Sequence, residues 1–418
     1  MEKNKAPMNF GSMMIIIIIL IVMYIALQNL LPFVAELIQQ IEKSRTTNNT
    51  IAVSSQTHEQ QFVLYEDQQK FKQAFPNADF KGTVYYNVYG KIVYENDIAV
   101  DLSDVKIDDN LAEHLALLTN IEIVNLYNQN LTTDQKVSLQ QAFPNIEFQW
   151  KVSITGDEVD YNIETLDLSK KQIPNLDDFK KELSLLKNLK KLDMSNTNLS
   201  NEELGALREQ FPNVRIDWVV HLSKWSVRTD AVAFSVLVTQ YDYRRMTTED
   251  IQVLKYCTEL QALDLGHQAI KDITVLGDYL PNLRVLILAD NKIQDISPLA
   301  KMKHLHYLEL FMNDITDATP LAECKELVDL NISFNYRFSD INGILELPLL
   351  ERLWLVSDRI PAESYELIRQ TYPNVKLVTT GSGSTESGWR SHERYFAMID
   401  MYRKNYISDV FLKYETND

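Results

Sequence analysis

His304 and His306 stand two apart in the stretch KHLHYL, so an extended chain would turn both imidazoles to one side, where they could share a metal ion. No third ligand lies near them in sequence, and two imidazoles alone do not make a metal site. Neighbouring carboxylates such as Asp108/Asp109 and Glu202/Glu203 could do general acid–base work, but in a chain with 58 acidic residues such pairs follow from composition. No nucleophile, base and orienting group fall into a catalytic constellation, so no catalytic residue, metal ligand or cofactor is assigned. What remains is recognition chemistry, carried by Tyr307, Phe311, Arg352 and Trp354; tyrosine, tryptophan and arginine are the types that dominate binding hot spots.

The elements that would position those side chains are repeats. An apolar residue, a second three later, a third two further on and a polar slot three beyond that recur at Leu260/Leu263/Leu265/Gln268, Leu283/Leu286/Leu288/Asn291, Leu305/Leu308/Leu310/Asn313, Leu327/Leu330/Ile332/Asn335 and Leu350/Leu353/Leu355/Asp358. The same template fits Ile121/Val124/Leu126, Ile163/Leu166/Leu168 and Leu189/Leu192/Met194, with weaker fits at Val100/Leu102 and Val236/Val238. Phe-Pro-Asn at Phe75, Phe143 and Phe211 and Tyr-Pro-Asn at Tyr372 mark further units. A unit this short cannot bury its own apolar face, so the units must stack into a solenoid with one continuous core. The two apolar residues two apart point inward from a short strand, the strands stack in parallel, and Asn291, Asn313 and Asn335 are read as satisfying backbone groups where the chain turns.

These residues resemble the leucine-rich repeat family, and IQDISPL and ITDATPL resemble the 22-residue repeats of internalin-like bacterial surface proteins. The resemblance implies an α/β solenoid, a leucine-rich repeat array with a parallel concave sheet; the uncharged N-terminal stretch, not the resemblance, adds a single transmembrane helix before it. WKVSITGDEVDYNIE reads as a hairpin, and residues 80 to 100 and 216 to 238 read likewise, which places hairpin insertions in the N-terminal half. No Leu-Pro-x-Thr-Gly sorting signal is present, so attachment would come from elsewhere.

Residues flanking the inward pair face the concave side, and there Val285, Ile287, Tyr307, Glu309, Phe311, Arg352 and Trp354 form an apolar and aromatic cluster. Exposed clusters of this kind mark contact with something, and the cluster is taken as the site of a protein or glycan ligand. The competing reading is that the hairpins or the C-terminal helix fold over it.

Thirty uncharged residues separate Lys5 from Glu36, more than the roughly 20 needed to cross a bilayer. The chain therefore divides into a cytoplasmic tail (1–12), an anchor (13–35), a polar spacer (36–57), the repeat domain with an N-terminal helical cap from His58 to Ala74 (58–379), and a linker with an amphipathic C-terminal cap (380–418). A cleaved signal peptide competes with the anchor, although no small-x-small site follows a short apolar core. Lys3 and Lys5 orient the repeats outside the cell. Beyond the anchor 41 − 2 = 39 basic residues face 58 − 1 = 57 acidic ones, a net charge of −18 that disfavours nucleic acid as a partner. Cys257 and Cys324 occupy equivalent places three units apart, about 14 Å, too far for a disulfide. The function expected is an adhesion or recognition module. The alternatives are an envelope scaffold for the producing cell's own proteins and, further off, a hydrolase.

Overall fold

The computed structural model describes residues 62–76, 82–236, 245–356 and 359–412. The anchor, tail and spacer expected over residues 1–57 lie outside them, as does Asp358. Among the described residues no helix is long and apolar enough to cross a membrane. The repeats lie in one compact unit, made of Leu64–Ala74 and the chain from Val84 onward.

The described chain opens with β1 (Phe62–Leu64) and α1 (Tyr65–Ala74), so the helix expected from His58 starts at Tyr65, with Phe62 in a strand. The solenoid then follows as three parallel blocks. The first is β4 (Ala99–Asp101), β5 (Ile123–Asn125) and β6 (Glu147–Gln149), and the second is β9 (Thr165–Asp167), β10 (Lys191–Asp193) and β11 (Arg215–Asp217). The third runs from β14 (Ala233–Ser235) and β15 (Ala262–Asp264) through β16 (Val285–Ile287), β17 (Tyr307–Glu309), β18 (Asp329–Asn331) and β19 (Arg352–Trp354) to β20 (Lys376–Val378). Registers match the template, with Leu286 opposite Leu308, Leu308 opposite Leu330 and Leu330 opposite Leu353. The weak fit at Val236/Val238 is off by two residues, because Phe234 is the one that pairs with Leu263.

A hairpin precedes each block: β2–β3 (Thr83–Val88, Lys91–Tyr94), β7–β8 (Lys151–Ile154, Asp157–Asp160) and β12–β13 (Val219–Leu222, Trp225–Arg228). Their first strands start at Thr83, Lys151 and Val219, 68 residues apart each time, the same interval that separates the three Phe-Pro-Asn markers. The N-terminal half is thus built on a 68-residue module. At the tips Tyr89-Gly90 and Thr155-Gly156 take positive φ, the conformation of a tight two-residue hairpin turn. These hairpins are no free flaps: Val88, Val93, Val152, Ile154, Val220, Leu222 and Val227 are buried in the main core.

Return legs depend on unit length. Longer units carry α3 (Thr133–Ala142) and α5 (Asn201–Gln210), each opened by a capping box, Thr132 with Gln135 and Ser200 with Glu203. The 22-residue units have room only for 3-10 turns, at Ser297–Lys301 and Thr319–Glu323, each with a proline in its first positions.

The polar slots act as the sequence suggests. Leaving each strand, the chain passes a non-glycine residue through the left-handed region, at Asp290 (φ 51°), Met312 (58°) and Phe334 (58°). The asparagine that follows closes the turn. Asn313 donates to the carbonyls of Leu288 (2.9 Å) and Leu310 (3.0 Å) and accepts from the Ile293 amide (3.0 Å), and Asn291 and Asn335 repeat the pattern one unit either side. Cys257 and Cys324 are unpaired and buried, with burial pushing each thiol up to about 12.

Candidate functional site

In the first two blocks the residues beside the inward position stay open to solvent, except Asp217 of β11, which is buried and paired with Arg215 at 2.9 Å. Asp101, Glu147, Thr165, Asp167, Lys191 and Arg215 are exposed, and Ile123, Asn125, Gln149 and Asp193 are half-buried. The second hairpin adds aromatic and charged groups beside this row. Tyr161 donates to Glu147 (2.8 Å) and meets Tyr127 edge-on (ring centroids 6.2 Å apart), while Lys151 lies over the Tyr127 ring and pairs with Asp160 at 2.8 Å. Partial burial and the Glu147 hydrogen bond push the Tyr161 hydroxyl up to about 12. One module on, Arg228 bridges Asp230 and Asp193 (2.8 Å each) and donates to Ser195 (2.9 Å).

The third block is different. Every residue of β15 to β19 is buried, and the expectation of an exposed cluster is corrected here: Val285, Tyr307, Glu309 and Trp354 are 0 % exposed, Phe311 2 %, Arg352 4 % and Ile287 8 %. The cover is the chain's own C-terminus. Past β20, a 3-10 turn (Trp389–Ser391), α8 (Glu393–Lys404; α6 is Thr274–Tyr279 and α7 Ala362–Thr371) and a last turn (Asp409–Phe411) lie on the concave face. Trp389, Met398, Met401 and Phe411 pack with Val285, Tyr307, Phe311 and Trp354 into a second hydrophobic cluster, separate from the solenoid core. The two readings weighed for this face were ligand contact and self-coverage, and the geometry places the side chains in the second.

The seam also holds charge. Asp329 accepts two hydrogen bonds from Arg352 (2.7 and 2.6 Å) and two from Arg394 of α8 (2.7 and 2.8 Å), and Arg394 reaches Glu351 at 2.7 Å. Bidentate pairing on both sides of one carboxylate is what makes burial of three charges tolerable. Trp389 stacks edge-on against Trp354 (4.9 Å), lies under the Arg352 guanidinium (4.6 Å) and donates its indole N–H to Glu309 at 2.7 Å. Tyr307 donates to the same carboxylate oxygen. Among the described residues, the other Glu309 oxygen and the Tyr402 hydroxyl have no hydrogen-bond partner. Burial raises the Glu309 and Asp264 carboxyls and pushes Tyr402 and Tyr307 well above the usual phenol range.

His304 and His306 both turn toward one carboxylate. His306 is buried, and burial pushes its imidazole down to about 4; both rings approach Glu326, at 3.3 and 3.5 Å. Among the described residues no group of three potential ligands could hold a metal ion.

The family described as "Leucine Rich repeats (2 copies)" matches residues 281–323, the stretch that holds β16 and β17 with their asparagine turns. Leucine-rich repeats are therefore shown over that stretch, and the strands on either side of it continue the same parallel sheet. Among solved structures, the chain is similar to internalin C2 of Listeria monocytogenes (23% identity over 54% of this chain and 85% of that one, TM-score 0.29). It is also similar to a second internalin of that organism (18%, 79% and 94%, TM-score 0.32) and to a leucine-rich repeat protein of Leptospira interrogans (18%, 63% and 74%, TM-score 0.30). No curated protein sequence matches it. Leucine-rich repeat arrays are in general protein-interaction modules and not enzymes.

The residues that sequence reasoning left unassigned are Trp389 and Arg394. A signal for them existed: the tail is amphipathic, and the flanking row of β15 to β19 mixes Asp264, Glu309, Asp329 and Arg352 among apolar side chains, a pattern suited to burial against charge.

Proposed function

We propose that this chain is a membrane-anchored recognition module displayed outside the cell, and that it binds a protein ligand through the open concave face of its first two blocks. One observation carries the choice of face. The flanking rows of β4 to β6 and β9 to β11 are solvent-open at every position but Asp217, whereas those of β15 to β19 are filled by the chain itself. The open row offers both signs of charge, in Glu147, Asp167, Lys191 and Arg215, beside the Tyr127/Tyr161 pair, the mixture of aromatic anchors and steering charges common in protein interfaces. A glycan ligand could use the same tyrosines, but the spread of charges of both signs along five of the six strands favours a protein. Anchoring rests on the 30 uncharged residues before Glu36 and the outward orientation on Lys3 and Lys5.

The test has two arms. A photo-crosslinking residue at Thr165 or Lys191 should capture a partner on producing cells, and one at Glu209 on α5 should not; equal capture from both positions refutes the face. Protease added to intact protoplasts should remove the repeats and leave a fragment of the N-terminal span. Full protection refutes the topology and leaves the choice of face standing.

A further inference from the structure

The seam between the third block and residues 389–412 is built as a recognition interface. A cover needed only to keep a solenoid end dry would be most stable with apolar side chains, since replacing a buried ion network by packed hydrophobic residues is often neutral or stabilising. Here the sheet supplies the acids Asp264, Glu309 and Asp329, and the tail supplies an indole and a guanidinium, the groups that dominate binding hot spots. The satisfaction is incomplete, with one Glu309 oxygen and the Tyr402 hydroxyl left without partners inside the seam.

The attachment is of side chains. β20 is the last strand of the sheet, and α8 crosses β14 and β15 without adding to the ladder. Asn405, in the left-handed conformation at the end of α8, accepts from the amides of Val232 and Ala233 (2.8 and 3.1 Å) where β14 begins. The connection from β20 reads TTGSGSTESG over residues 379–388, a glycine- and serine-rich stretch tied down by Asn331 to Ser384 (2.7 Å) and Trp354 to Glu386 (2.9 Å). Such a tether lets the segment leave the face without unravelling a repeat.

We propose that the concave face of β15 to β19 is a second docking surface whose resident occupant, residues 389–412, exchanges on and off, and that the partner it fits is a segment offering a tryptophan and an arginine spaced as Trp389 and Arg394 are. It rests on no part of the reading given above for the first two blocks. The chain's own tail displays the chemistry required: an indole N–H for Glu309, a guanidinium for Asp329 and Glu351, and an apolar helix face for Val285, Tyr307 and Phe311.

Hydrogen exchange on the wild-type full chain is the first test. Amides of Glu393–Lys404 should exchange through an opening that leaves β16 to β18 protected; exchange of both only on global unfolding overturns the proposal, and needs no variant. The second test titrates a fluorescein-labelled synthetic peptide of residues 385–412 into the full chain. The Trp389→Ala/Arg394→Ala chain, whose own tail is weakened, should bind it about tenfold or more tighter than wild type, as expected when a competing occupant is removed. No binding to a double variant whose repeats still unfold cooperatively overturns exchange. Equal binding of a peptide that itself carries both alanine substitutions overturns the assigned partner chemistry.

Discussion

Along β4 to β6 and β9 to β11 the chain turns mostly charged and polar side chains to the concave side, and all but Asp217 stay wet; along β15 to β19 it turns Val285, Tyr307, Phe311 and Trp354 the same way, and they are dry. The strands have the same parallel pairing and the same kind of inward apolar residue in both regions. On the concave side what differs is the composition of the flanking positions. The backbone makes the concave face, and the residues beside the inward pair decide whether it is a surface or an interior. Once apolar side chains gather there, burying them against Trp389, Met398, Met401 and Phe411 removes a large area from water, and the charges left among them must find partners, as Asp329 does with two arginines.

The hardest blow to this comparison would come from truncating the aromatic row. Tyr307→Ala, Phe311→Ala and Trp354→Ala together should unfold the third block or lower its melting temperature by more than about 10 °C, since a single buried aromatic costs about 3–5 kcal/mol to truncate. Tyr127→Ala with Tyr161→Ala should cost a small fraction of that. If circular dichroism melts show comparable losses for the two sets, the two faces do not differ as described.

Next in size is the buried ion network. Arg394→Ala leaves Asp329 with Arg352 alone, and Asp329→Ala strands two guanidiniums; removing one member of such a set costs about 3–5 kcal/mol, with Asp329→Ala the larger. Replacing Asp329, Arg352 and Arg394 together by leucine and methionine should recover most of the loss in urea denaturation followed by tryptophan fluorescence. A triple variant no more stable than Asp329→Ala would show that the network is stabilising in its own right.

Much of this was legible in the sequence, for reasons of range. The repeat template, the Asn291/Asn313/Asn335 turns, the Ser200/Glu203 capping box and the Trp150-to-Ile163 hairpin are periodic or local, so spacing alone exposes them. The 68-residue module lay in the Phe-Pro-Asn spacing and becomes plain once the hairpins are seen to share it. Coverage of the third block was not decided, because it depends on a contact between β16–β19 and a segment tens of residues later that no periodicity encodes. Tyr307 and Trp354, expected to meet a ligand, pack instead against Trp389 of the same chain.

A smaller effect sharpens the same contrast through pH. Glu309 is buried in the seam, facing Tyr307 on its own strand, Trp389 and Arg390 of the 3-10 turn, Asp264 of β15 and Tyr402 of α8. Its folded pKa is raised above the ordinary 4.5, so its contribution to stability is full below that pH and is lost as pH rises through the folded value. His306 works in the opposite sense: lowered from 6.5 to about 4, it contributes fully above 6.5 and loses that contribution as pH falls toward 4. Glu309→Gln keeps an uncharged acceptor for Tyr307 and Trp389. The stability difference between this variant and wild type should therefore widen in the variant's favour as pH is raised above 4.5; a difference flat with pH would mean Glu309 is not held as the structure places it.

The smallest effect is expected on the open face, at the hydroxyl of Tyr161. Its hydrogen bond to Glu147 spans from the second hairpin to β6, and both groups meet water, so the exchange of a protein partner for a water partner is nearly even. Tyr161→Phe should change stability by about 1 kcal/mol or less, in contrast to any polar deletion within the third-block seam. Because the Tyr161 hydroxyl is pushed from 10.0 up to about 12, spectrophotometric titration should also show one tyrosine fewer ionising near that pH in the variant. If Tyr161→Phe instead destabilises the chain as strongly as Arg394→Ala, the first two blocks carry a buried seam of their own, and the open row of Glu147, Lys191 and Arg215 is not the surface that the comparison makes it.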